Sequence, residues 1–167
     1  MQALQATLQD VDAVMTLVRR VVPLMRATGN LQWDEHYPNS GVFERDVNLN
    51  QLWLAEIDGR IAGVAAITTD QQPEYVNIGW DIHETAIVVH RLAVDPAFQG
   101  KGVAKVLMQQ AEAVARERQI KVLRVDTNTQ NEATQRLFPR LGYTLAGETG
   151  FSFRPDLRFR CYEKRLS

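Results

Sequence analysis

Two glycines flank a lysine at the start of a helical pattern, in the segment "QGKGVAKVLMQQAEAVA" of residues 99–115. A helix N-terminus leaves backbone N–H groups unpaired, and their partial positive charge favours an anion, above all a phosphate. Gly100 and Gly102 lack the Cβ that would keep such a group at a distance, and both permit positive φ. Three or four charge-assisted bonds of roughly 1.5–3 kcal/mol each would hold a pyrophosphate without a metal ion. The segment predicts a phosphate site, although the glycines alone also fit an ordinary strand-to-helix turn.

Two better-known phosphate loops fit this segment poorly. A Walker A loop is excluded because Asp95 stands where its first glycine belongs and Gly102 follows the lysine. The dinucleotide fingerprint G-x-G-x-x-G is broken because Lys105 occupies the third glycine position, where a small residue is required. Asp126, at the end of the next apolar run, nevertheless imitates the acid that binds a ribose. Dinucleotide binding, with affinity for NAD, therefore stays open as an alternative.

The composition is that of a single soluble globular domain. The 167 residues are 45% hydrophobic and 23% charged, with a net charge of -1. No basic run proposes nucleic acid as a partner, and no apolar stretch has the length of a membrane span. The N-terminal residues lack the plan of a signal peptide, and Cys161 is the only cysteine. We therefore expect a cytoplasmic protein without an internal disulfide.

The first third of the chain predicts helices followed by a hairpin. Apolar residues at helical spacing indicate a helix over Val11–Met25, with Asp10 as its N-cap. A short helix is expected over Phe43–Asn50. Two β-rich runs then flank Asp58-Gly59, a dipeptide that is typical of a tight hairpin turn.

The rest of the chain predicts a strand–helix–strand unit followed by further elements of both kinds. A capping box at Thr129–Glu132 marks the start of the last helix, and Gly142 marks its end. In chain order we expect a strand at Ala86–Val94, a helix from about Val103 to Arg118, a strand at 121–127, a helix from about Gln130 to Leu141, and strands near Tyr143–Phe151 and Leu157–Leu166. The fold class is therefore α/β, with a mixed sheet.

Two linked motifs resemble the GNAT superfamily of acyl-CoA-dependent N-acyltransferases. The first is L-x-V-x-P followed by Q/R-x-x-G-x-G/A, matched by Leu92, Val94, Pro96, Gln99, Gly102 and Ala104. The second is an Asn after the next strand, then an aromatic residue and a final G-[FY], matched by Asn131, Ala133, Leu137-Phe138 and Gly142-Tyr143. The resemblance covers about Trp53 to Leu166. It implies a GNAT fold over residues 1–167 as one domain, with a mixed, mostly antiparallel twisted sheet of about six to seven strands and about four helices.

The resemblance also implies acetyl-CoA as co-substrate. Its pyrophosphate would lie on the backbone of Gln99, Gly100, Lys101, Gly102, Val103 and Ala104. Its pantetheine arm would run along the strand edge formed by Leu92, Ala93 and Val94. Asn131 would contact the cofactor, because Thr129 is expected to cap the helix and leave the Asn side chain free. Phe138 is expected beside the cofactor as well.

Acyl transfer to an amine needs a proton acceptor and a leaving thiolate. Many family members place a Tyr at the position of Phe138 as general acid, so that role is vacant unless Tyr143 or Tyr162 fills it. Asp126 occupies a place where some protein-N-terminus acetylators carry an acid, and His90 is a second candidate base. Each also fits a purely structural role. No metal-ligand spacing is present, and Cys161 is expected to be a buried small hydrophobe.

Substrate-binding residues are sought among the loop aromatics. Trp33, Tyr37 and Trp80 could wall an apolar pocket, although they could equally anchor loops on the core. The resulting hypothesis is an N-acetyltransferase acting by direct attack on the thioester, with a primary amine of a small molecule as acceptor. The alternatives are acetylation of a protein N-terminus or lysine, and a non-catalytic acyl-CoA sensing domain. A homodimer is possible by the same resemblance.

Overall fold

Seven strands and four α-helices make up the chain, and the computed structural model describes all of residues 1–167. The strands are β1 (Gln2–Gln5), β2 (Leu52–Ile57), β3 (Arg60–Thr68), β4 (Ile87–Val94), β5 (Val122–Asn128), β6 (Thr144–Phe151) and β7 (Arg154–Arg165). The helices are α1 (Val11–Ala27), α2 (Ser40–Asn48), α3 (Val103–Glu117) and α4 (Glu132–Arg140). Three short 3₁₀ turns lie at Leu8–Asp10, Pro73–Ile78 and Pro96–Phe98. None of the helices combines the length and apolar character needed to cross a bilayer.

All seven strands form one sheet in the order β1-β2-β3-β4-β5-β7-β6. Only β4 and β5 are parallel, because α3 crosses over between them, and every other neighbouring pair is antiparallel. The predicted mixed, mostly antiparallel sheet is therefore confirmed. The short strand β1 was not predicted, since four residues carry too little pattern.

The hairpin β2–β3 forms at the predicted dipeptide. Asp58 and Gly59 both have positive φ, 51° and 75°, as a type I′ turn requires. Asp tolerates this conformation better than most residues with a side chain, and Gly adopts it freely. The turn thereby fixes the register of the two strands that carry the buried residues of the sheet centre.

Strand β4 separates from β5 halfway along its length. The two strands pair only at Ile87–Val89, opposite Leu123–Val125. Beyond that point β4 contains a bulge, where Arg91 has a φ of 54° and the pairing with β3 shifts. The extra residue bends β4 away from β5, so a gap opens in the middle of the sheet.

Helices cover both faces of the sheet. Against one face pack α3 and α4, and the face of α3 buries Val103, Leu107 and Ala111 as predicted, together with Met108 and Ala115. Against the other face pack α1 and α2 over the β2–β4 half. The segment around the Pro73–Ile78 turn covers the β5–β7 half of that face.

Asp10 is the N-cap residue of α1 as predicted, although its side chain makes no cap bond, whereas the predicted cap of α4 is wrong. Asp10 precedes α1, but its carboxylate accepts the N–H of Thr7 at 2.7 Å and so closes the Leu8–Asp10 turn instead. The N-cap of α4 is Asn131 rather than Thr129, because Asn131 Oδ1 accepts the N–H of Thr134 at 3.2 Å. Asn caps a helix at least as well as Thr, and it stands closer to the first apolar turn. The side chain of Asn131 is therefore only half free, through its amide nitrogen.

A fully buried guanidinium joins β5 to the loop that covers it. Arg124 is 1% exposed and donates to Glu163 at 2.9 Å, to Gln71 at 2.6 Å and to the Asp81 carbonyl at 2.9 Å. It also pairs with Glu84 at 3.3 Å and lies 4.8 Å from the ring centre of Trp80. Burial of this charge is tolerated because its donors have acceptors.

Replacing Arg124 tests how far the fold depends on this cluster. Arg124→Met should lower the free energy of unfolding by about 3–5 kcal/mol, because partner carboxylates and carbonyls lose a buried cation. Urea unfolding followed by circular dichroism measures the change. Arg136→Met is the control, since its pair with Glu132 is solvent-exposed at 3.9 Å and should contribute less than about 0.5 kcal/mol. Equal effects of the two changes would contradict a structural role for Arg124.

Candidate active site

A cavity of about 70 Å³ lies where β4 and β5 part. The residues that line it are Met25, Gln32, Trp33, Val89, His90, Arg91, Leu92, Val125, Asp126, Thr127, Asn131, Thr134 and Phe138. They come from both strands of the fork, from α4, and from the end of α1 with the loop after it. Both candidate bases from the sequence, His90 and Asp126, are among them.

The bulge that opens the fork is held by a buried ion pair. Arg91 donates two hydrogen bonds of 2.7 Å to the two carboxylate oxygens of Asp46 on α2. Asp46 is 2% exposed, and a bidentate pair of this kind fixes the guanidinium in one orientation. A third donor of Arg91 reaches the hydroxyl of Tyr37 at 3.3 Å. Sequence reasoning missed Arg91, because nothing local distinguishes a bulge residue within an apolar strand.

The glycine loop presents unpaired backbone donors. Gly100 and Gly102 have φ values of 76° and 80°, and a Cβ built on either would meet no atom within 4 Å. No protein acceptor receives the N–H groups of Gly100, Gly102, Val103, Ala104 and Lys105. The carboxylate of Asp95 accepts from the N–H of Ala97 and from Arg20, both at 2.9 Å, which holds the preceding turn in place. Orphan donors around an open concavity fit a pyrophosphate.

The edge of β4 beside this loop is also unpaired. Asp95 N–H donates to the carbonyl of Ala62 on β3. Because backbone groups alternate along a strand, the N–H of Val94 points the other way, to the side where β5 has departed. Leu92 lines the cavity, whereas Ala93 is buried against α1 and α2. This edge is free to pair with an extended chain.

Asp126 lies at the base of the fork with one of its oxygens held. Tyr75 Oη donates to Asp126 Oδ2 at 2.6 Å. Burial raises the pKa of Asp126, while the charge of His90 and the hydrogen bond from Tyr75 act in the opposite direction. A carboxylate in this setting attracts a cation that enters the cavity.

His90 is held in one tautomer when neutral. Its Nε2 lies 2.8 Å from the carbonyl oxygen of Asp70, and a carbonyl can only accept. The proton must therefore be on Nε2, which leaves the lone pair on Nδ1. Nδ1 is thus the atom of His90 that can take up a proton.

The α4 side of the cavity is made by Asn131, Thr134 and Phe138. Thr134 Oγ1 lies 2.6 Å from Thr127 Oγ1, which ties α4 to β5. Phe138 lines the cavity but is 1% exposed, with its ring centre 5.4 Å from that of Tyr162. Phe138 therefore forms part of the cavity wall, but it has no proton to donate to a leaving group.

The three predicted substrate aromatics lie in different places. Trp33 lines the cavity, where Arg26 donates to its carbonyl at 3.0 Å. Tyr37 lies behind Arg91 and touches the cavity only through it. Trp80 does not line the cavity, because its ring is packed edge-on against Tyr75 at 4.8 Å and covers Arg124. A substrate wall made of all three is therefore not formed.

Comparison with known proteins identifies the family. The model of the acetyltransferase (GNAT) family matches residues 19–143. The chain belongs to the GNAT family. GNAT enzymes use acetyl-CoA and transfer its acetyl group to an amine, so this chain is an N-acetyltransferase. The resemblance read from the two sequence motifs is thereby confirmed.

Similar GNAT proteins span most of this chain. An uncharacterized N-acetyltransferase of Bacillus subtilis, YesJ, is 24% identical over 87% of this chain and 82% of its own. A 5-NmdU N-acetyltransferase of Pseudomonas phage PaMx11 is 25% identical over 81% of this chain and 91% of its own. Among solved structures, a GNAT acetyltransferase of Streptococcus agalactiae has a TM-score of 0.84 at 24% identity, covering 99% of this chain and 95% of the other.

Two other titratable side chains considered from the sequence lie outside the cavity. Tyr143 is 4% exposed and its hydroxyl has no hydrogen-bond partner; burial and the charge of Glu112 raise its pKa. Cys161 is buried opposite Asp126 on β7, and burial likewise raises the pKa of its thiol. A protonated, enclosed thiol is a poor nucleophile. Neither group is placed to take part in acyl transfer at the fork.

The unsatisfied hydroxyl of Tyr143 gives a test of this placement. Tyr143→Phe should raise the free energy of unfolding by about 1 kcal/mol, because it removes a buried donor that has no acceptor. Acetyltransferase activity should stay within about twofold of the parent, since this corresponds to less than about 0.5 kcal/mol. Urea unfolding and steady-state kinetics measure the two quantities. A large loss of activity would show that the hydroxyl acts in catalysis after all.

Proposed function

We propose that the chain transfers acetyl from acetyl-CoA to the primary amine of a small molecule by direct attack on the thioester. The observation that carries the proposal is the cavity at the β4–β5 fork, where Asp126 and His90 lie together beside an unpaired strand edge. All seven strands, from Gln2 to Arg165, belong to one sheet, which supports one catalytic domain over residues 1–167.

In this proposal the two ends of acetyl-CoA bind to different backbone donors. The unpaired N–H groups between Gly100 and Lys105 bind the pyrophosphate, and Lys101 adds positive charge nearby. The pantetheine arm pairs with the open edge of β4 at Leu92–Val94, which leads the thioester to the fork. The free amide nitrogen of Asn131 and the ring of Phe138 border the same space.

The chemistry then needs one proton acceptor and no general acid. A primary amine with a pKa near 10.4 arrives as an ammonium ion, which the carboxylate of Asp126 attracts. Its first proton goes to His90 Nδ1, and the neutral nitrogen attacks the carbonyl carbon. The C–N bond forms, the C–S bond breaks, and CoA leaves as a thiolate that takes the second proton from nitrogen. A thiol with a pKa near 8.5 leaves well enough without the Tyr that Phe138 replaces.

The enclosure of the acceptor side supports a small molecule rather than a protein. The loop of residues 28–39 is tied to the β6–β7 hairpin, because Arg154 donates to Asp34 at 3.1 Å. The same loop places Trp33 and Gln32 against the cavity. A slender aminoalkyl group can enter such a space more easily than a folded protein surface.

Calorimetric titration with acetyl-CoA tests the binding loop. The parent should bind acetyl-CoA and not NAD, whereas Gly102→Val should weaken binding at least tenfold, because a side chain at this φ distorts the loop and occupies the phosphate space. Gly59→Val is the matched control, since Gly59 also has positive φ and an open Cβ position but lies at the hairpin turn. NAD binding by the parent would instead favour the dinucleotide alternative.

Kinetics of base-site variants test the chemistry. CoA release is first measured with ethanolamine, putrescine, tyramine and glucosamine, beside a peptide with a free N-terminus. With the best acceptor, Asp126→Asn and His90→Gln should each lower kcat/KM by about 10²–10⁴-fold, because attraction of the ammonium or removal of its proton is lost. His83→Gln, an exposed loop histidine, is the control.

Two results would contradict parts of this proposal. Turnover of the peptide but none of the small amines would replace the small-molecule acceptor with a protein. Unchanged kcat/KM in both Asp126→Asn and His90→Gln would remove these residues from the chemistry while leaving the cofactor loop intact.

A further inference from the structure

A tyrosine outside every sequence motif reaches the base of the active-site fork. Tyr75 lies in the Pro73–Ile78 turn, is 0% exposed, and does not line the cavity. Its hydroxyl nevertheless donates to Asp126 Oδ2 at 2.6 Å, across 51 residues of sequence. The local sequence around either residue does not predict this contact, because the two residues meet only in the folded protein.

The ring of Tyr75 is held rigidly from several sides. Its centre lies 4.8 Å from that of Trp80 in an edge-on contact and 6.2 Å from that of Phe151. The guanidinium of Arg124 lies over the ring of Trp80. It is itself held by hydrogen bonds to Glu163 and Gln71. The position of the Tyr75 hydroxyl is therefore fixed by packing before any substrate binds.

The two oxygens of Asp126 have different surroundings. Oδ2 accepts the hydrogen bond of the Tyr75 hydroxyl, while no protein group donates to Oδ1. Oδ1 keeps some accessible surface, and Asp126 lines the cavity. One oxygen is thus held by the protein and the other is available to a ligand.

The charged and titratable groups around Asp126 come from four elements. His90 faces it from β4, Cys161 from β7, and Tyr75 from the covering turn, while Arg124 lies two residues earlier on β5. Burial raises the pKa of Tyr75 far above its usual range, and the charge of Asp126 raises it further, so the phenol remains the donor. The thiol of Cys161 stays protonated for the same reason.

We propose that Tyr75 is the positioning residue of the amine site: it fixes Asp126 Oδ2 so that Oδ1 faces the cavity as the receptor for a primary ammonium group. This inference rests on the proposed function, in which Asp126 meets the acceptor. The hydrogen bond also favours the ionised carboxylate over its protonated form. The acceptor is therefore recognised as a cation, before it loses its proton to His90.

Tyr75→Phe removes only the hydroxyl and tests the assignment. The KM for the best small amine should rise about tenfold or more, with a smaller change in kcat, because binding of the ammonium is weakened. Without this hydrogen bond the pKa of Asp126 rises, so NMR titration of its carboxyl carbon should give a higher midpoint in Tyr75→Phe than in the parent. The Kd for acetyl-CoA should stay unchanged, since the cofactor loop is elsewhere. Thermal unfolding confirms that the variant is folded.

Three comparisons make the outcome specific. Tyr143→Phe, which also removes a buried tyrosine hydroxyl, should leave the KM and the titration of Asp126 unchanged. In the double variant Tyr75→Phe/Asp126→Asn, the loss should equal that of Asp126→Asn alone, because both changes act on the same group. In the parent, the Tyr75 hydroxyl proton in the NMR spectrum should shift over the pH range in which the Asp126 carboxyl carbon titrates. This last measurement needs no variant.

Failure of this inference is distinguishable from failure of the proposed function. If Asp126→Asn loses activity but folded Tyr75→Phe keeps the parental KM and the parental titration of Asp126, the positioning role is overturned and the role of Asp126 in the reaction stands. If Asp126→Asn keeps full activity, the proposed function is wrong at this residue and the inference falls with it. A Tyr75 hydroxyl proton that does not follow the titration of the Asp126 carboxyl carbon also contradicts the role of Tyr75.

Discussion

The separation of β4 from β5 is the constraint on which the rest of the site depends. Parallel strands gain a hydrogen bond at each step of pairing, so ending their contact after Val89 forfeits backbone bonds in the sheet centre. The bulge at Arg91 enforces the separation, and the bidentate pair with Asp46 stabilises its unusual backbone conformation. Helix α2 thus acts on the active site through one ion pair, although it contributes no residue to the cavity.

Polar groups buried on one face of the sheet form a second layer of support. Arg124 holds the covering loop by hydrogen bonds, and the ring of Trp80 packs on its guanidinium. Tyr75 packs against Trp80 and donates its hydroxyl to Asp126. Each member restricts the orientation of the next, which limits the side-chain freedom that the Asp126 carboxylate would otherwise have. Buried charge is costly, and its presence beside the site indicates that orientation matters there more than packing alone.

Local patterns accounted for most of the fold but for only part of the site. The hairpin, the central strand–helix–strand unit and the glycine loop follow from turn residues, apolar spacing and motif, because neighbouring residues determine them. His90 and Asp126 were recognised as candidates, whereas Arg91 and Tyr75 were not. Their roles arise from contacts with Asp46 and Asp126 that only the assembled sheet creates. The predicted cap at Thr129 failed, and Asn131 caps the helix instead, because several adjacent polar residues compete for the same backbone donors.

The residues around the cavity come from sequence segments of two kinds. The glycine loop, His90 and Asp126 occupy one continuous stretch, residues 87–128, whereas residues 25–37 add a further wall to the cavity and Tyr75 contacts Asp126 from behind it. A continuous unit can be inherited intact while separate loops are exchanged around it. Under the proposed function, substitutions in the loop of residues 28–39 would therefore change the choice of amine without altering how the nucleotide end of acetyl-CoA is bound. The binding of the acetyl donor and the selection of its recipient would then vary independently.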